Sequence, residues 1–513
     1  MEGDTLLQDQ PLGQKLIKKG FWLYFFMLLT APVGYIIKVL ISNTLSVEDV
    51  GIFYSVFGLV MLFASYHDLW LTEALQYYLP KYWIHKEYNN YKTILYVTIL
   101  AQILTGIIIS LCLYFGADWL AINHFWSPAA AGVLKTLCRY FLGVNFIQVA
   151  GSVYISFQDI IASSLVDFVK YYSVLWFTLV FWITHTLTLD SYSLAWIVWV
   201  FFSMIFSLIW FKKKYGYTLQ KWVFSPNMLL FTKQIKYASW IFLGANVATL
   251  FGQIDQQIIV HFLGSKAAGY YSNYWSLIMI YSLITWPLLS LIFPLVNELI
   301  QKNDHKKLEL LQNTFYKYFS LLWISLGGLF LTLWEVIAIV LFGEKFLYSW
   351  TLVSYLSPFL IFSILYTINY WIMAWLGKVK QRVKILAWGL LTNVSLNLIL
   401  IVWLWWWLTG AVIAIAASWI VLWGYSLHYI NAFQKIDFDW KFFIKNSIFI
   451  VVLSIMTYFV WSKLFVLQDA FRLTNLWYLL LIGIIYYCLI AAVNYKSIIS
   501  LIWEVKQMRN HRS

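Results

Sequence analysis

The chain is dominated by apolar segments that are too long to be strands or core helices of a soluble domain. A helix needs about 20 mostly apolar residues to cross a bilayer. Fourteen segments have that character, at approximately residues 18–42, 49–80, 91–115, 131–156, 161–184, 192–211, 234–262, 268–299, 311–342, 348–376, 382–406, 409–431, 444–464 and 474–495. Only 11% of the 513 residues are charged, against about 25% in soluble domains. The sequence therefore predicts an all-α polytopic membrane protein with about fourteen transmembrane helices.

Basic residues are divided very unequally between the two sides of the predicted membrane. With the N-terminus inside, the predicted internal segments hold 26 Lys and Arg residues. The external segments hold four, which are Lys266, Lys345, Lys463 and Arg472. Because Lys and Arg favour cytoplasmic loops, the pattern predicts both termini in the cytoplasm and a multi-pass protein of the cytoplasmic (inner) cell membrane. It also accounts for the net charge of +13, so nucleic acid is not an expected partner.

An internal repeat predicts how the helices are grouped. Residues Ile17–Gly51 align without a gap on Ile235–Gly269 after a shift of 218, and eight of the thirty-five positions are identical. Repeats in an apolar chain point to a transporter built from two halves. Six helices separate the copies, so the halves run in the same direction. The predicted domains are an N-terminal lobe at 1–211, a cytoplasmic amphipathic linker at 212–233, a C-terminal lobe at 234–435, and helices 13 and 14 with a basic tail at 436–513.

Several ionisable side chains fall inside the predicted spans. Such a group costs at least a few kcal/mol at bilayer depth, so it faces a partner or a wet cavity. The candidate cavity cations are Lys38, Lys135, Arg139 and Lys170. The candidate cavity or coupling acids are Asp68, Asp167 and Asp255.

Each candidate also has a purely structural interpretation. Lys135 and Arg139 are four residues apart, which predicts one shared helix face, and they either bind an anion such as pyrophosphate or extend to lipid headgroups. Lys38 either holds cargo or pairs with an acid of the second helix. Asp167 and Lys170 have the spacing of an internal ion pair.

Asp255 has three glutamine neighbours and no adjacent cation in sequence. A buried carboxylate tends to take up a proton. Asp255 therefore serves proton or Na⁺ coupling, or it pairs with Lys38.

Five stretches, taken in order, resemble a known family. They are LSVEDVGIFYSVFGLV (Leu45–Val60), LGSKAAGYYSNYWSL (Leu263–Leu277), LFGEKF (Leu341–Phe346), GKVKQRVKILAWGLLTNVSLNLILI (Gly377–Ile401) and TGAVIAIAASWI (Thr409–Ile420). Over residues 15–435 the chain resembles the polysaccharide-transporter branch of the multidrug/oligosaccharidyl-lipid/polysaccharide flippase superfamily, which includes O-antigen flippases. It departs from the pattern at Asn43, where the family often has Arg, and at Trp70, where it often has Gly.

The resemblance implies two six-helix lobes around a central cavity, with the last two helices shaping a groove for a lipid tail. It implies a flippase that moves undecaprenyl-pyrophosphate-linked oligosaccharide from the cytoplasmic to the outer leaflet by alternating access. The expected partners are the lipid bilayer, that cargo, and possible further polysaccharide-assembly membrane proteins. We expect a monomer without a cofactor or metal, driven by an ion gradient or by cargo supply.

Two other functions remain open at this stage. A multidrug or metabolite exporter of the same superfamily needs an acidic and aromatic site that binds cations. A membrane polysaccharide polymerase or ligase needs catalytic groups on an external loop. The longest external connection, about 116–130, carries only Asp118 and His124 as chemical groups, so we do not expect an enzyme.

Overall fold

The computed structural model describes residues 12–69, 71–216, 228–301, 305–432, 438–464 and 473–500. Within these ranges all regular secondary structure is helical. The helices are α1 (Leu12–Thr44), α2 (Val47–His67), α3 (Leu71–Ile84), α4 (Tyr88–Asn123), α5 (Ala129–Leu137), α6 (Tyr140–Ser156), α7 (Ile160–Ile183), α8 (Leu189–Tyr215), α9 (Met228–Gln301), α10 (His305–Phe342), α11 (Leu347–Leu356), α12 (Leu360–Trp375), α13 (Val379–Asn397), α14 (Trp407–Asn431), α15 (Trp440–Leu464) and α16 (Leu473–Val493). The predicted all-α fold is confirmed.

The helices are long and apolar enough for a membrane protein. Ten helical segments of the described ranges have the length and hydropathy needed to cross a bilayer, and Trp477–Val493 is a shorter apolar helix. Each of the fourteen predicted segments overlaps a described helix. The chain is therefore a multi-pass membrane protein, while fourteen as the number of crossings stays a prediction.

Two predicted spans each contain a turn between two helices, whereas α11 and α12, which share the span 348–376, are joined by a 3-10 helix at Ser357–Phe359. The segment 49–80 forms α2 and α3, which are separated at Asp68 and Leu69. Leu69 has a φ of +48°, and this left-handed conformation cannot continue a right-handed helix. The segment 131–156 forms α5 and α6, which are separated at Cys138 and Arg139. Asp68 and Arg139 therefore lie at helix ends.

The helical run α9 contains one sharp break. A straight helix of its 74 residues would be about 110 Å long, whereas the hydrocarbon core is about 30 Å thick. Gly264 interrupts it with φ +83° and ψ 177°, a conformation that glycine adopts readily because it has no Cβ. Under the 218-residue shift Gly264 aligns with Ser46, the N-cap of α2. Both copies of the repeat therefore interrupt the helix at equivalent positions.

The chain packs into two compact units, Met1–Ala268 and Gly269–Ser513. In the first unit α7 packs against α1 and α8, and α6 packs against α4 and α8. In the second, α14 packs against α12 and α13, and α10 packs against α15. The predicted lobe boundaries at 211 and 234 stay a prediction. Residues 217–227 of the predicted linker and 501–513 of the predicted basic tail lie outside the described residues.

Close packing of α13 on α14 depends on Gly389. A Cβ added at Gly389 would lie 2.6 Å from Cγ of the buried Leu422, whereas a Cβ at Gly424 of α14 would meet nothing within 4 Å. Overpacking a core typically costs about 1–3 kcal/mol, and alanine is otherwise a better helix residue than glycine by about 1 kcal/mol. We expect Gly389→Ala to lower the thermal unfolding midpoint of the detergent-purified protein and Gly424→Ala to leave it equal or higher. Equal midpoints for the two variants would contradict this packing.

Candidate functional site

Lys38 of α1 is buried in the first unit and is only 4% exposed. Its Nζ lies 3.4 Å from the ring centroid of Tyr54 on α2. A cation above an aromatic face is attracted by the ring quadrupole, and the attraction grows when the cation is removed from water. The Tyr54 ring therefore offsets part of the cost of burying this ammonium group.

Lys170 of α7 has a similar environment. Its Nζ lies 5.1 Å from the ring centroid of Tyr171 and 5.0 Å from that of Trp199 on α8. Lys170 is half-buried, and Asp167, three residues earlier, is exposed. The structure thus places both Lys38 and Lys170 beside aromatic rings, and Nζ of Lys135 lies farther, 6.0 Å, from the ring centroid of Tyr114.

Lys135 and Arg139 lie in a different setting. Nζ of Lys135 is 2.8 Å from both carboxylate oxygens of Asp118 on α4, and that carboxylate is exposed. Exposed ion pairs contribute about 0–1 kcal/mol. Arg139 is also exposed, at the N-cap of α6. Because α5 ends between the two residues, they do not share one continuous helix face.

Asp68 ends α2 and is held by polar groups of two neighbouring helices. The hydroxyl of Thr72 on α3 donates to its Oδ2 at 2.5 Å, and Nε2 of Gln102 on α4 donates to its Oδ1. The same Thr72 hydroxyl lies 3.1 Å from Oε2 of Glu73. Donors on both carboxylate oxygens stabilise the ionised form of Asp68.

His67, the residue before Asp68, is fully buried. Its Nε2 lies 2.5 Å from Oδ1 of Asn145 on α6, and its Nδ1 lies 3.1 Å from the carbonyl oxygen of Ala64. The backbone carbonyl of His67 accepts from the hydroxyl of Thr105 on α4 at 2.6 Å. The interruption of α2 is therefore tied to α4 and α6 by hydrogen bonds.

A polar cavity of about 510 Å³ opens beside this interruption. Asp68, Thr72 and Glu73 line one part of it. Its other polar lining residues are Ser65, Gln76, Gln148, Ser152, Thr249 and Gln253. Of the seven predicted site residues, Asp68 is among the described lining residues and the other six are not. The described lining of this cavity thus carries two carboxyl groups together with side-chain amides and hydroxyls.

Asp255 is buried in α9 with its neighbours Gln256 and Gln257. Nε2 of Gln256 donates to the Ser55 hydroxyl at 2.9 Å, and Nε2 of Gln257 donates to the Ser55 carbonyl at 2.9 Å. This approach of α2 to α9 needs Gly58, because a Cβ there would lie 2.9 Å from Oε1 of Gln253. The glutamines around Asp255 therefore join two helices of the first unit.

Two histidines stack beyond the end of α4. The ring centroids of His124 and His261 are 5.3 Å apart with an interplanar angle of 18°. Nε2 of His124 lies 3.0 Å from Oε1 of Gln257. Burial lowers the pKa of His124, the hydrogen bond with Gln257 opposes this, and His261 lowers it further. The lowered pKa keeps the His124 ring neutral over a wider pH range.

The second unit contains an apolar groove of about 600 Å³ between α10 and α15. Its lining includes Leu331 of α10, Ile361 of α12, and Val451 and Phe459 of α15. The two main helices approach closely at Gly328, where a Cβ would lie 2.6 Å from Oγ of Ser454. The groove therefore lies beside the point where α10 and α15 are in close contact.

Sequence reasoning missed most of the polar cluster around Asp68. His67, Gln102 and Asn145 were not among the predicted site residues, although all three are buried. The available signal was their polarity within long apolar segments, since buried polar groups need partners.

Known proteins resemble this chain in sequence and in fold. A family model described as polysaccharide biosynthesis protein matches residues 16–300. An uncharacterised membrane protein of Methanocaldococcus jannaschii is 23% identical over 466 residues, which cover 86% of this chain and 89% of that protein.

Three solved structures share the fold. The lipid II flippase MurJ in an inward closed conformation superimposes with a TM-score of 0.72 at 15% identity, covering 94% of this chain and all of that one. An inward-facing multidrug resistance MATE family transporter of the MOP superfamily gives 0.68 at 13% identity, covering 80% and 98%. A MOP superfamily transporter from Pyrococcus furiosus, described by the reverse polarity of its binding pocket, gives 0.55 at 14% identity, covering 81% and 96%.

The similarity to solved structures concerns the fold, which this chain shares with MurJ and the MATE transporters. The family model extends over more than half of the chain, including both the repeat copy at 235–269 and the polar cluster around Asp68. The chain belongs to the polysaccharide biosynthesis protein family.

Proposed function

We propose that this protein is a flippase for lipid-linked oligosaccharide in the assembly of a surface polysaccharide. The cargo is an undecaprenyl-pyrophosphate-linked oligosaccharide, of the kind used for O-antigen, and it moves from the cytoplasmic to the outer leaflet. The observation that carries the proposal is the apolar groove between α10 and α15. Proteins of a polysaccharide biosynthesis family act on sugars, and a sugar without a lipid would not bind to an apolar surface of this kind.

The groove suits a polyprenyl chain in size and chemistry. It has a volume of about 600 Å³ and is lined mostly by apolar side chains. Burying apolar surface contributes about 25 cal/mol per Å² where it leaves water. Inside a bilayer no water is displaced, so the favourable free energy of tail binding comes from van der Waals packing instead. We propose that the groove holds part of the lipid tail while the polar headgroup crosses elsewhere.

The headgroup requires cations within the membrane. We propose Lys38 and Lys170 as residues that contact the pyrophosphate or sugars when the helices separate during alternating access. An ammonium group binds phosphate as a compact point charge, and the rings of Tyr54 and Trp199 beside these lysines can stack on sugars. We leave Lys135 and Arg139 out of this proposal, because the half-buried Lys135 pairs with an exposed carboxylate, that of Asp118, and Arg139 is itself exposed.

We further propose the orientation given by the charge distribution, with both termini cytoplasmic in the inner membrane. The protein acts as a transporter and not as an enzyme, as a monomer, without a bound cofactor. Other polysaccharide-assembly membrane proteins supply and receive its cargo. Its energy comes from an ion gradient or from the supply of cargo.

A cation-coupled multidrug or metabolite exporter is the second candidate. The acid-lined cavity at Asp68 and Glu73 favours it, because carboxylates attract organic cations. Transport assays with the protein reconstituted in lipid vesicles distinguish the two functions. An exporter moves a cationic dye and ignores lipid-linked sugar, and a flippase does the opposite.

The groove can be tested with two adjacent valines of α15. Val451 lines the groove and is 56% exposed, while Val452 is 51% exposed and is not among the described lining residues. We expect Val451→Trp to slow flipping of a fluorescent polyprenyl-pyrophosphate oligosaccharide roughly tenfold, because the indole ring would displace part of the tail and remove about ten carbon contacts of roughly 0.1–0.2 kcal/mol each. The measurement is dithionite quenching in reconstituted vesicles. Val452→Trp should flip at the wild-type rate, and equal behaviour of the two variants would exclude the groove as the tail site.

The cationic site can be tested with Lys38→Met, which removes the charge and keeps most of the side-chain volume. A hydrogen bond to a charged group contributes about 1.5–3 kcal/mol, so we expect flipping to fall tenfold or more in the same assay. Lys135→Met is the matched control and should stay near wild type, because it breaks only an exposed pair. Wild-type flipping by a correctly folded Lys38→Met protein would remove Lys38 from the site.

A further inference from the structure

We propose that Asp68, Thr72 and Glu73 form a relay that binds one exchangeable proton from the polar cavity and couples transport to a proton gradient. The coupling rests on the proposed transport function. The proton binding itself does not, because it concerns only these three side chains and the water that reaches them.

The position of the Thr72 hydroxyl fixes the number of protons. Its oxygen lies 2.5 Å from Oδ2 of Asp68 and 3.1 Å from Oε2 of Glu73. A hydroxyl has one hydrogen, so it can donate to only one carboxylate at a time. Both contacts are favourable when one acid is protonated and donates to Thr72, while Thr72 donates to the other acid. If both carboxylates were ionised, one of them would face the lone pairs of the hydroxyl oxygen instead of its hydrogen, and that contact would be repulsive.

The surroundings place that proton on Glu73. Asp68 already accepts from Gln102, which favours its ionised form. The Thr72 hydroxyl also lies closer to Asp68, at 2.5 Å, than to Glu73, at 3.1 Å, so its hydrogen bond favours the ionised form of Asp68 as well.

The relay has access to water. Asp68, Thr72 and Glu73 all line the cavity of about 510 Å³. Gln148 lines it too, and its Oε1 is a buried acceptor with no hydrogen-bond partner among the described residues. The fully buried Gln102, which donates to Asp68, likewise has an Oε1 that no described group satisfies. Both acceptors suit a water or hydronium donor.

The ionisable groups facing the relay are few. His67 comes from α2, and Glu73 is contributed by α3. The helices α4, α6 and α9 present neutral side chains, which are Gln102, Gln148, Ser152, Thr249 and Gln253. Among the described lining residues, Asp68 and Glu73 are the only ionisable ones. One proton entering from cavity water thus converts Glu73 carboxylate to the acid, and its release reverses this.

The test is an infrared pH titration of the full-length purified protein without substrate, which follows the C=O stretch of protonated carboxyl groups. We expect one carboxyl signal that titrates in wild type to be lost in Glu73→Gln, which removes the proton-binding group, and to change its midpoint in Asp68→Asn, which removes the neighbouring carboxylate. Thr72→Val should shift its midpoint by about one pH unit or more, because it removes the bridging hydroxyl. Thr72→Ser keeps the hydroxyl and should restore the wild-type midpoint.

Two results would overturn the relay. One is a carboxyl titration that Glu73→Gln and Asp68→Asn leave unchanged. The other is a signal that responds to Na⁺ at constant pH and not to pH, which would make the carboxylates a sodium site. Thermal unfolding midpoints establish that each variant is folded, and Glu73→Gln, at a half-buried position, remains informative if Asp68→Asn does not fold.

Coupling is measured separately, as the dependence of flipping on an imposed proton gradient. Wild type and Thr72→Ser should respond to the gradient, and Glu73→Gln should not. A titrating relay in a protein that flips no lipid-linked sugar would reject the proposed function and keep the proton site. A gradient response that Glu73→Gln retains would overturn the coupling role.

Discussion

Moving a charged side chain from water into a membrane interior costs far more than any single hydrogen bond returns. This cost determines where the polar residues of the first unit lie. Lys38 and Lys170 are placed against aromatic faces, Asp68 receives two donors, and Lys135 pairs at an exposed surface. Each arrangement lowers the same penalty in a different way. The charged groups that remain at membrane depth are therefore restricted to a few well-supported places.

The two units differ in chemistry. The first contains the buried lysines, the acid-lined cavity and the hydrogen-bonded interruption between α2 and α3. The second contains an apolar groove whose closest helix approach depends on Gly328. A cargo with a charged, hydrophilic head and a long hydrocarbon tail needs both kinds of surface. The proposed flippase function uses both surfaces, whereas the alternative function, export of small cations, uses only the first.

The overall architecture could be predicted from sequence because it depends on local properties. Long apolar segments and the excess of internal Lys and Arg are sufficient to predict a helical membrane protein. The interruptions could not be predicted, because Leu69 and the Cys138–Arg139 junction contain neither glycine nor proline. Their helical propensity is ordinary, and tertiary contacts decide that the helix ends there.

The candidate site was harder to predict for the same reason. Spacing placed Lys135 and Arg139 on one helix face, but the end of α5 separates them. Asp68 and Glu73 are five residues apart in sequence, and the turn between α2 and α3 brings both to Thr72. Hydrogen bonds such as that between His67 and Asn145, 78 residues apart, depend on how helices pack. Such contacts leave no periodic signal in a single sequence.

The end of α2 has a mechanical consequence. The last carbonyl groups of any helix lack a partner within the helix, and hydrocarbon offers none. The hydroxyl of Thr105 supplies one to the His67 carbonyl. If α2 slid along α4 by even one residue, that oxygen would lose its donor. This hydrogen bond therefore favours one register of α2 against α4, and sliding the two helices past each other would break it.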